Sequence, residues 1–367
     1  MSKPLELLIV STNRWDYGGA EKVLYLLTTE RNPAVYNPTL VISQEDHFAS
    51  MLEKADLPYH VKDFSSYPRA LFQMKAFFKE NAGRFQAVLC NSSMAARVVG
   101  FLKPWHRLPV IFYAHGRRGW ASQALLQRLS DRVIAVSRFI ASTFPQPDHP
   151  GLTVLHNGIP LPASSTNVEK KEIKALSRTF GLNHGPVIGS VGRLSRVKGY
   201  HDLLAAFPPI IARHPQTRLL LVGEGGEREN LEQLTKQLEI SENVVFTGFQ
   251  SHVAPFFELM DVFVLPSTWQ EPFGLVVIEA MAARLPVVAT RLGGVPEIVL
   301  HEANGLLVDK NQPDDIARAV NRLLDSPETA SAMGELGRTR AENLFNHKLM
   351  VRKFEELIQT AVHERSN

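Results

Sequence analysis

A chain of 367 residues exceeds the size at which a single hydrophobic core keeps growing, so two domains are expected. With 44% hydrophobic and 21% charged residues it excludes a disordered or low-complexity protein. The single cysteine, Cys90, excludes an internal disulfide, no Cys/His cluster has zinc spacing, and both fit a reducing compartment. The net charge of +3 is uneven: residues 1–165 hold 18 Lys+Arg against 12 Asp+Glu, the remainder 22 against 25. The first half is therefore the basic one, which suits an anionic partner or a solvated surface.

The apolar run Leu5 to Ser11 is too short and too weakly basic at its start for a signal peptide, and nothing approaches the ~20 uninterrupted apolar residues of a membrane span. The expected location is the cytoplasm. In the first half the candidate strands are LELLIVS, PTLVIS, YHVKD, AVLCNS, VIFYAHG, RVIAVS and LTVLHNG, with helical periodicity between them. Apolar periodicity then lapses at IPLPASSTN, Ile159 to Asn167, which places a linker there. PVIGSVG, TRLLLVG, NVVFTG, DVFVLP, LPVVAT and NGLLV follow as strands, and a helical tail starts near Pro327. The expected fold class is α/β, two doubly wound parallel-sheet Rossmann-like domains. The expected boundaries are 1–165, 166–345 and a C-terminal helix over 346–367 that crosses back to the first domain.

In open parallel sheets ligands sit beyond the carboxyl ends of the strands, so the loops there carry the functional reading. After the first strand, TNRWDYGGAEK sets Gly18 and Gly19 before a helix whose start can cradle an anion or a sugar, or simply make a tight turn. The full dinucleotide fingerprint and the Walker A motif are both missing. Opening the second half, GRLSRVKG places Arg193, Arg196 and Lys198 between Gly192 and Gly199, a composition suited to neutralising a diphosphate. VGEGGERE supplies a third glycine-rich strand end.

The stretch STWQEPFGLVVIEAMAARLPVVAT spends two carboxylates in apolar surroundings. Glu271 falls in a loop at a helix entrance, and Glu279 one to two turns into the helix, where a carboxylate can accept hydrogen bonds from a vicinal diol such as ribose. An unpaired carboxylate buried in such a helix is costly, which favours a ligand over mere pairing with the helix dipole.

EPFGLVVIE resembles the E-x7-E signature of the retaining glycosyltransferases of family 4, which have the GT-B fold. GGAEKV, AHG at His115, VIAVS at Ser137, LHNGI at Asn157, VGRLSRVKG, FTGF and LGGVPEIV resemble further segments of that family in the same order. The resemblance implies that Arg193 and Lys198 meet the diphosphate of a nucleotide sugar and that Glu279 holds the ribose. It implies that Glu271 and the amides of Phe273, Gly274, Leu275 and Val276 contact sugar and phosphate oxygens, and that Thr247 and Gly248 lie beside the base. His115 would lie close to the transferred sugar, and Gly18 and Gly19 would close over the diphosphate. Such enzymes retain the anomeric configuration, commonly discussed as front-face attack. With no D-x-D motif in this chain, no metal and no cofactor are expected, and the substrate would be a nucleotide diphosphate sugar, UDP-sugar above others.

The acceptor would be a glycan or lipid-linked, in surface polysaccharide or lipopolysaccharide assembly; nucleic acid is not an expected partner. Arg117, Arg118 and Trp120 form a candidate acceptor surface or a solvated charged one. The helix-patterned YPRALFQMKAFFKEN sets Ala70, Leu71, Met74, Phe77 and Phe78 on an inner face, and Phe72 among Arg69, Lys75 and Lys79 on the outer. That outer face suits weak peripheral contact with an anionic membrane, or plain solvation. Two other readings stay open on the same fold: a nucleotide-sugar epimerase or hydrolase, and a non-catalytic sugar-nucleotide-binding subunit.

Overall fold

The computed structural model describes residues 3–12, 18–161 and 167–364. The first sheet is built from β1 (Leu5–Ser11), β2 (Tyr36–Ile42), β3 (Tyr59–Val61), β4 (Ala87–Cys90), β5 (Val110–Ala114), β6 (Arg132–Ala135) and β7 (Leu152–Val154). The second uses β8 (Val187–Val191), β9 (Arg218–Val222), β10 (Val244–Phe246), β11 (Val262–Leu265), β12 (Val287–Thr290) and β13 (Gly305–Val308). Each segment expected as a strand forms one. Their β-branched runs carry almost no polar side chain because helices cover both faces: Leu7 to Val10 and Val262 to Val264 are buried.

All pairings are parallel, in the orders β3-β2-β1-β4-β5-β6-β7 and β10-β9-β8-β11-β12-β13. In each sheet the order reverses once, between β1 and β4 and between β8 and β11. Those switch points are where connections leave in opposite directions and open a crevice at the strands' carboxyl ends.

The chain divides into two compact units, Ile159–Asn346 and the remainder, so that residues from His347 onward belong with the first sheet. Within that first unit the helix His347–His363 buries Phe354, whose ring lies 5.9 Å from Tyr36 and 6.5 Å from Tyr113. Helix Tyr67–Glu80 buries Ala70, Met74, Phe77 and Phe78, while Leu71, expected with them, is half-buried at the edge of that face. The linker read at Ile159 to Asn167 falls partly on residues 162–166, and the first loop partly on residues 13–17; both stretches lie outside the described residues. Among the described residues no helix is long and apolar enough to cross a membrane.

Candidate active site

In the second unit, close backbone approaches stitch the strand ends together, and glycine is required at several of them. Gly223, at φ +143°, lies so near the end of β8 that a Cβ there would stand 2.0 Å from the Gly192 carbonyl oxygen. Its amide donates to the Gly248 carbonyl at 3.1 Å, which joins the loop after β10 to the same row. Gly199, at φ +70°, has no room for a Cβ, which would meet the Pro266 carbonyl oxygen at 1.9 Å. The loop after β8 is thereby pressed onto the loop after β11, and the Thr268 amide donates to the Val197 carbonyl at 3.0 Å.

That contact brings Lys198 to Glu271. The ammonium donates to Glu271 Oε1 at 2.7 Å, and the hydroxyl of Ser267 donates to the same oxygen. Ser267 is fully buried and its carbonyl accepts from Thr290 Oγ1 at 2.7 Å, so its position is fixed from β12. The backbone of Glu271 is held as firmly. Its carbonyl accepts from the Gly294 amide at 2.8 Å, and Gly293, at φ +61°, passes so close that a Cβ would lie 2.0 Å from that oxygen. Gln270 Oε1 accepts from the Gly293 amide at 2.7 Å. Three loops, after β8, β11 and β12, thus converge on one residue, the first two at the Glu271 carboxylate and the third at its backbone carbonyl.

Gly274, in a left-handed conformation at φ +119°, starts the helix Leu275–Ala282. Phe273 is buried against Phe345 at 5.7 Å, which anchors the helix entrance. The amides of Leu275 and Val276 belong to the first turn, where no intrahelical acceptor exists. Glu279 is half-buried on a helix whose Val277, Ile278, Ala280 and Met281 are buried. Arg193 is exposed beside Leu194, which is buried and fixed by its amide to the Glu224 carbonyl at 2.9 Å. Thr247 and Gly248 belong to the β9–β10 end of this row: the Thr247 amide donates to the Leu221 carbonyl at 3.1 Å and its hydroxyl to the Gly248 carbonyl at 3.0 Å. Lys198 and Glu271 are thus in direct contact, whereas Thr247 and Gly248 lie toward the opposite edge of the sheet, with β9 and β8 between β10 and β11.

In the first unit Gly18 caps the helix Gly19–Thr29. At this helix start, a candidate cradle for an anion or a sugar, the Gly18 amide donates to Glu21 Oε2 at 3.1 Å, because the carboxylate three residues on reaches back to the helix start. His115 follows β5, and its Nε2 lies 2.7 Å from Asn91 Oδ1 at the end of the adjacent β4. Desolvation holds the imidazole far below its ordinary range, at about 3. A cavity of about 140 Å³ is lined there by His115, Tyr113, Asn91, Ser92, Ser93 and Arg118, among others. Arg118 donates to Ser93 Oγ at 3.1 Å, while Arg117 and Trp120 are exposed and not part of that lining. Ser137 Oγ caps the helix Arg138–Ser142 through the Ile140 amide at 3.0 Å, and Asn157 Oδ1 accepts from the Tyr113 hydroxyl at 3.0 Å. Ser267 and Asn91 were not singled out from the sequence. Each is a polar residue just past a strand, in VLPS and VLCN, and that was the signal available.

Two family models match along the chain: Glycosyltransferase Family 4 over residues 17–161 and Glycosyl transferases group 1 over residues 173–340. The chain belongs to the glycosyltransferases. An uncharacterized glycosyltransferase of Methanocaldococcus jannaschii is 34% identical over 262 residues, which is 66% of this chain and 66% of that protein. A lipopolysaccharide core biosynthesis glycosyltransferase of Rhizobium meliloti is 34% identical over 203 residues, 52% of this chain and 58% of the relative. The chain therefore spans under two thirds of these curated relatives' own lengths. A crystal structure of Anabaena HepE in complex with UDP superposes with a TM-score of 0.86 over 97% of this chain and 100% of that one, at 23% identity. The glycosyltransferase thus has the GT-B fold, two parallel-sheet Rossmann-like units.

Proposed function

We propose that this glycosyltransferase moves a hexose-like sugar from a nucleotide diphosphate sugar to a glycan or lipid-linked acceptor, with retention of configuration and without a metal ion. The observation that carries the reading is the Lys198–Glu271 pair, held at 2.7 Å where the second sheet reverses its order. A cation, an immobilised carboxylate and the start of a helix meet at one strand end, which is what a diphosphate next to a polyhydroxylated ring requires. In this reading Arg193, Lys198 and the amides of Gly274, Leu275 and Val276 take up charge on the leaving diphosphate. Glu271 turns its second oxygen to a sugar hydroxyl, Glu279 accepts from the ribose, and Thr247 and Gly248 flank the base. At the start of the first helix of the other unit the Glu21 carboxylate occupies the Gly18 amide, so an anion bound at Gly18 and Gly19 would compete with it.

A UDP-sugar donor is favoured by the UDP bound in HepE, and a role in surface polysaccharide or lipopolysaccharide assembly by the Rhizobium relative. The cytoplasm is the proposed location, with weak contact to anionic membrane through the first unit. Phe72 is 76% exposed and Arg69, Lys75 and Lys79 are exposed on the same helix, which supports that contact. The deciding experiment follows UDP release and product by NMR with a panel of acceptors, in the presence of a chelator. Release that depends on acceptor, gives a retained anomeric centre and survives chelation is the expected result. Release at the same rate without acceptor would instead identify a hydrolase, and an inverted product or chelator-abolished activity would refute the mechanism.

A further inference from the structure

Two donors meet at Glu271 Oε1, and they differ in what can take them away. The Lys198 ammonium is partly exposed and sits on a flexible four-carbon stem, so a bound anion competes with Glu271 for it. The Ser267 hydroxyl is neutral, fully buried and one rotatable bond from the backbone, out of an anion's reach. A carboxylate only accepts, which makes the hydroxyl the donor. The serine also belongs to a closed frame that leaves Lys198 out. Its carbonyl accepts from the buried Thr290 Oγ1 at 2.7 Å, at the end of β12. The chain runs on from Thr290 to Gly294, whose amide donates to the Glu271 carbonyl at 2.8 Å, and the Glu271 side chain returns to Ser267 Oγ. Glu271 is thereby held at its backbone oxygen and at one carboxylate oxygen without the lysine.

We propose that Ser267 is a positioning residue that keeps the Glu271 carboxylate aimed once a diphosphate draws Lys198 away from it. In the free protein both donors share Oε1. When an anion occupies the Arg193–Lys198 loop the ammonium turns to phosphate oxygens, Ser267 keeps its bond to Oε1, and Oε2 stays where it was. Without that hydroxyl the carboxylate either retains the ammonium or follows it, and both displace a group that must be in place for turnover. The arrival of a diphosphate rests on the glycosyl-transfer reading; the frame around Glu271 does not.

The test has two arms. In wild type, NMR follows the Ser267 hydroxyl proton and the Lys198 ammonium as UDP is added, the two assigned by their loss in Ser267→Ala and Lys198→Met, with Glu271→Gln as a second assignment that moves the hydroxyl signal. A proton buried in a charge-assisted hydrogen bond should exchange slowly with water and remain so with UDP bound, while the Lys198 signal shifts. Absence of the slow proton from the free protein, its loss when UDP binds, or a Lys198 signal that UDP leaves unmoved each overturns the proposal, whatever the variants do. In the second arm Ser267→Ala is expected to lower kcat about ten- to hundredfold, with UDP affinity close to wild type. Ser267→Thr keeps the hydroxyl, and Ser267→Val, of the same shape, lacks it, so threonine should recover most of kcat and valine none. A serine that only fills space would give the threonine and valine variants the same kcat, or would lower UDP affinity as much as kcat, and either result overturns the positioning role. Release of UDP by wild type without acceptor would instead remove the transfer reading, and the NMR arm would still decide which donor holds Glu271.

Discussion

Replacing Lys198 by methionine keeps the length of the stem and deletes the charge that faces Glu271. The pair is neither on the surface nor fully enclosed: the lysine side chain is 28% exposed and the carboxylate 12%. Exposed pairs are worth about 0.2–1 kcal/mol, and removing one partner of a buried pair costs about 3–5 kcal/mol, so an intermediate loss of about 1–3 kcal/mol is expected. The Ser267 hydroxyl still donates to Glu271 Oε1, which keeps the estimate below the buried limit. Each kcal/mol lowers the melting temperature by roughly 2–4 °C in a unit of this size. The decisive assay is a double-mutant cycle with Glu271→Gln, read by urea or thermal unfolding without ligand. Because Lys198→Met strands a carboxylate that the second substitution neutralises, the double variant should be more stable than the sum of the singles implies. Additivity within about 0.5 kcal/mol would refute the inference that the two side chains hold each other in place. Turnover in Lys198→Met should fall by more than nucleoside affinity, since charge on the diphosphate grows as the glycosidic bond breaks.

Glu279→Ala is expected to weaken nucleotide binding roughly ten- to 150-fold, the equivalent of losing about 1.5–3 kcal/mol of hydrogen bonding to a charged acceptor; titration calorimetry showing a change under about twofold would contradict the ribose assignment. For His115 the sign follows from its lowered pKa, about 3 against an ordinary 6.5. Between those values the unfolded chain binds the proton and the folded one does not, so this group's effect is a stability that falls as pH drops from 6.5 toward 3. His115→Gln should flatten that part of the melting-temperature profile, and parallel profiles would show that the imidazole is not buried in its neutral form. Wild type should float with anionic liposomes at low salt more than the Phe72→Ser, Lys75→Glu, Lys79→Glu triple variant, with each surface cation worth about 1 kcal/mol. Equal flotation, or none, removes the membrane contact.

Sequence alone carried the strand inventory, because a strand buried on both faces must be apolar throughout and its ends must be punctuated by glycine, proline or a small polar residue. VIGSV in β8 and VFVL in β11 read this way without any knowledge of their partners. It also pointed to Glu271, a carboxylate in apolar surroundings, and to Lys198, one of three cations in a loop bounded by glycines. Their contact was not legible, because the two residues are 73 positions apart and meet only through parallel pairing of β8 with β11 and the missing Cβ of Gly199. The same holds for Ser267 and Asn91. A serine or an asparagine after a strand looks like any turn residue until the fold sets its hydroxyl against Glu271, or its amide oxygen against the imidazole of His115. Local composition decides which segments become strands and where charge must be accommodated, whereas only long-range pairing decides which polar atom satisfies which.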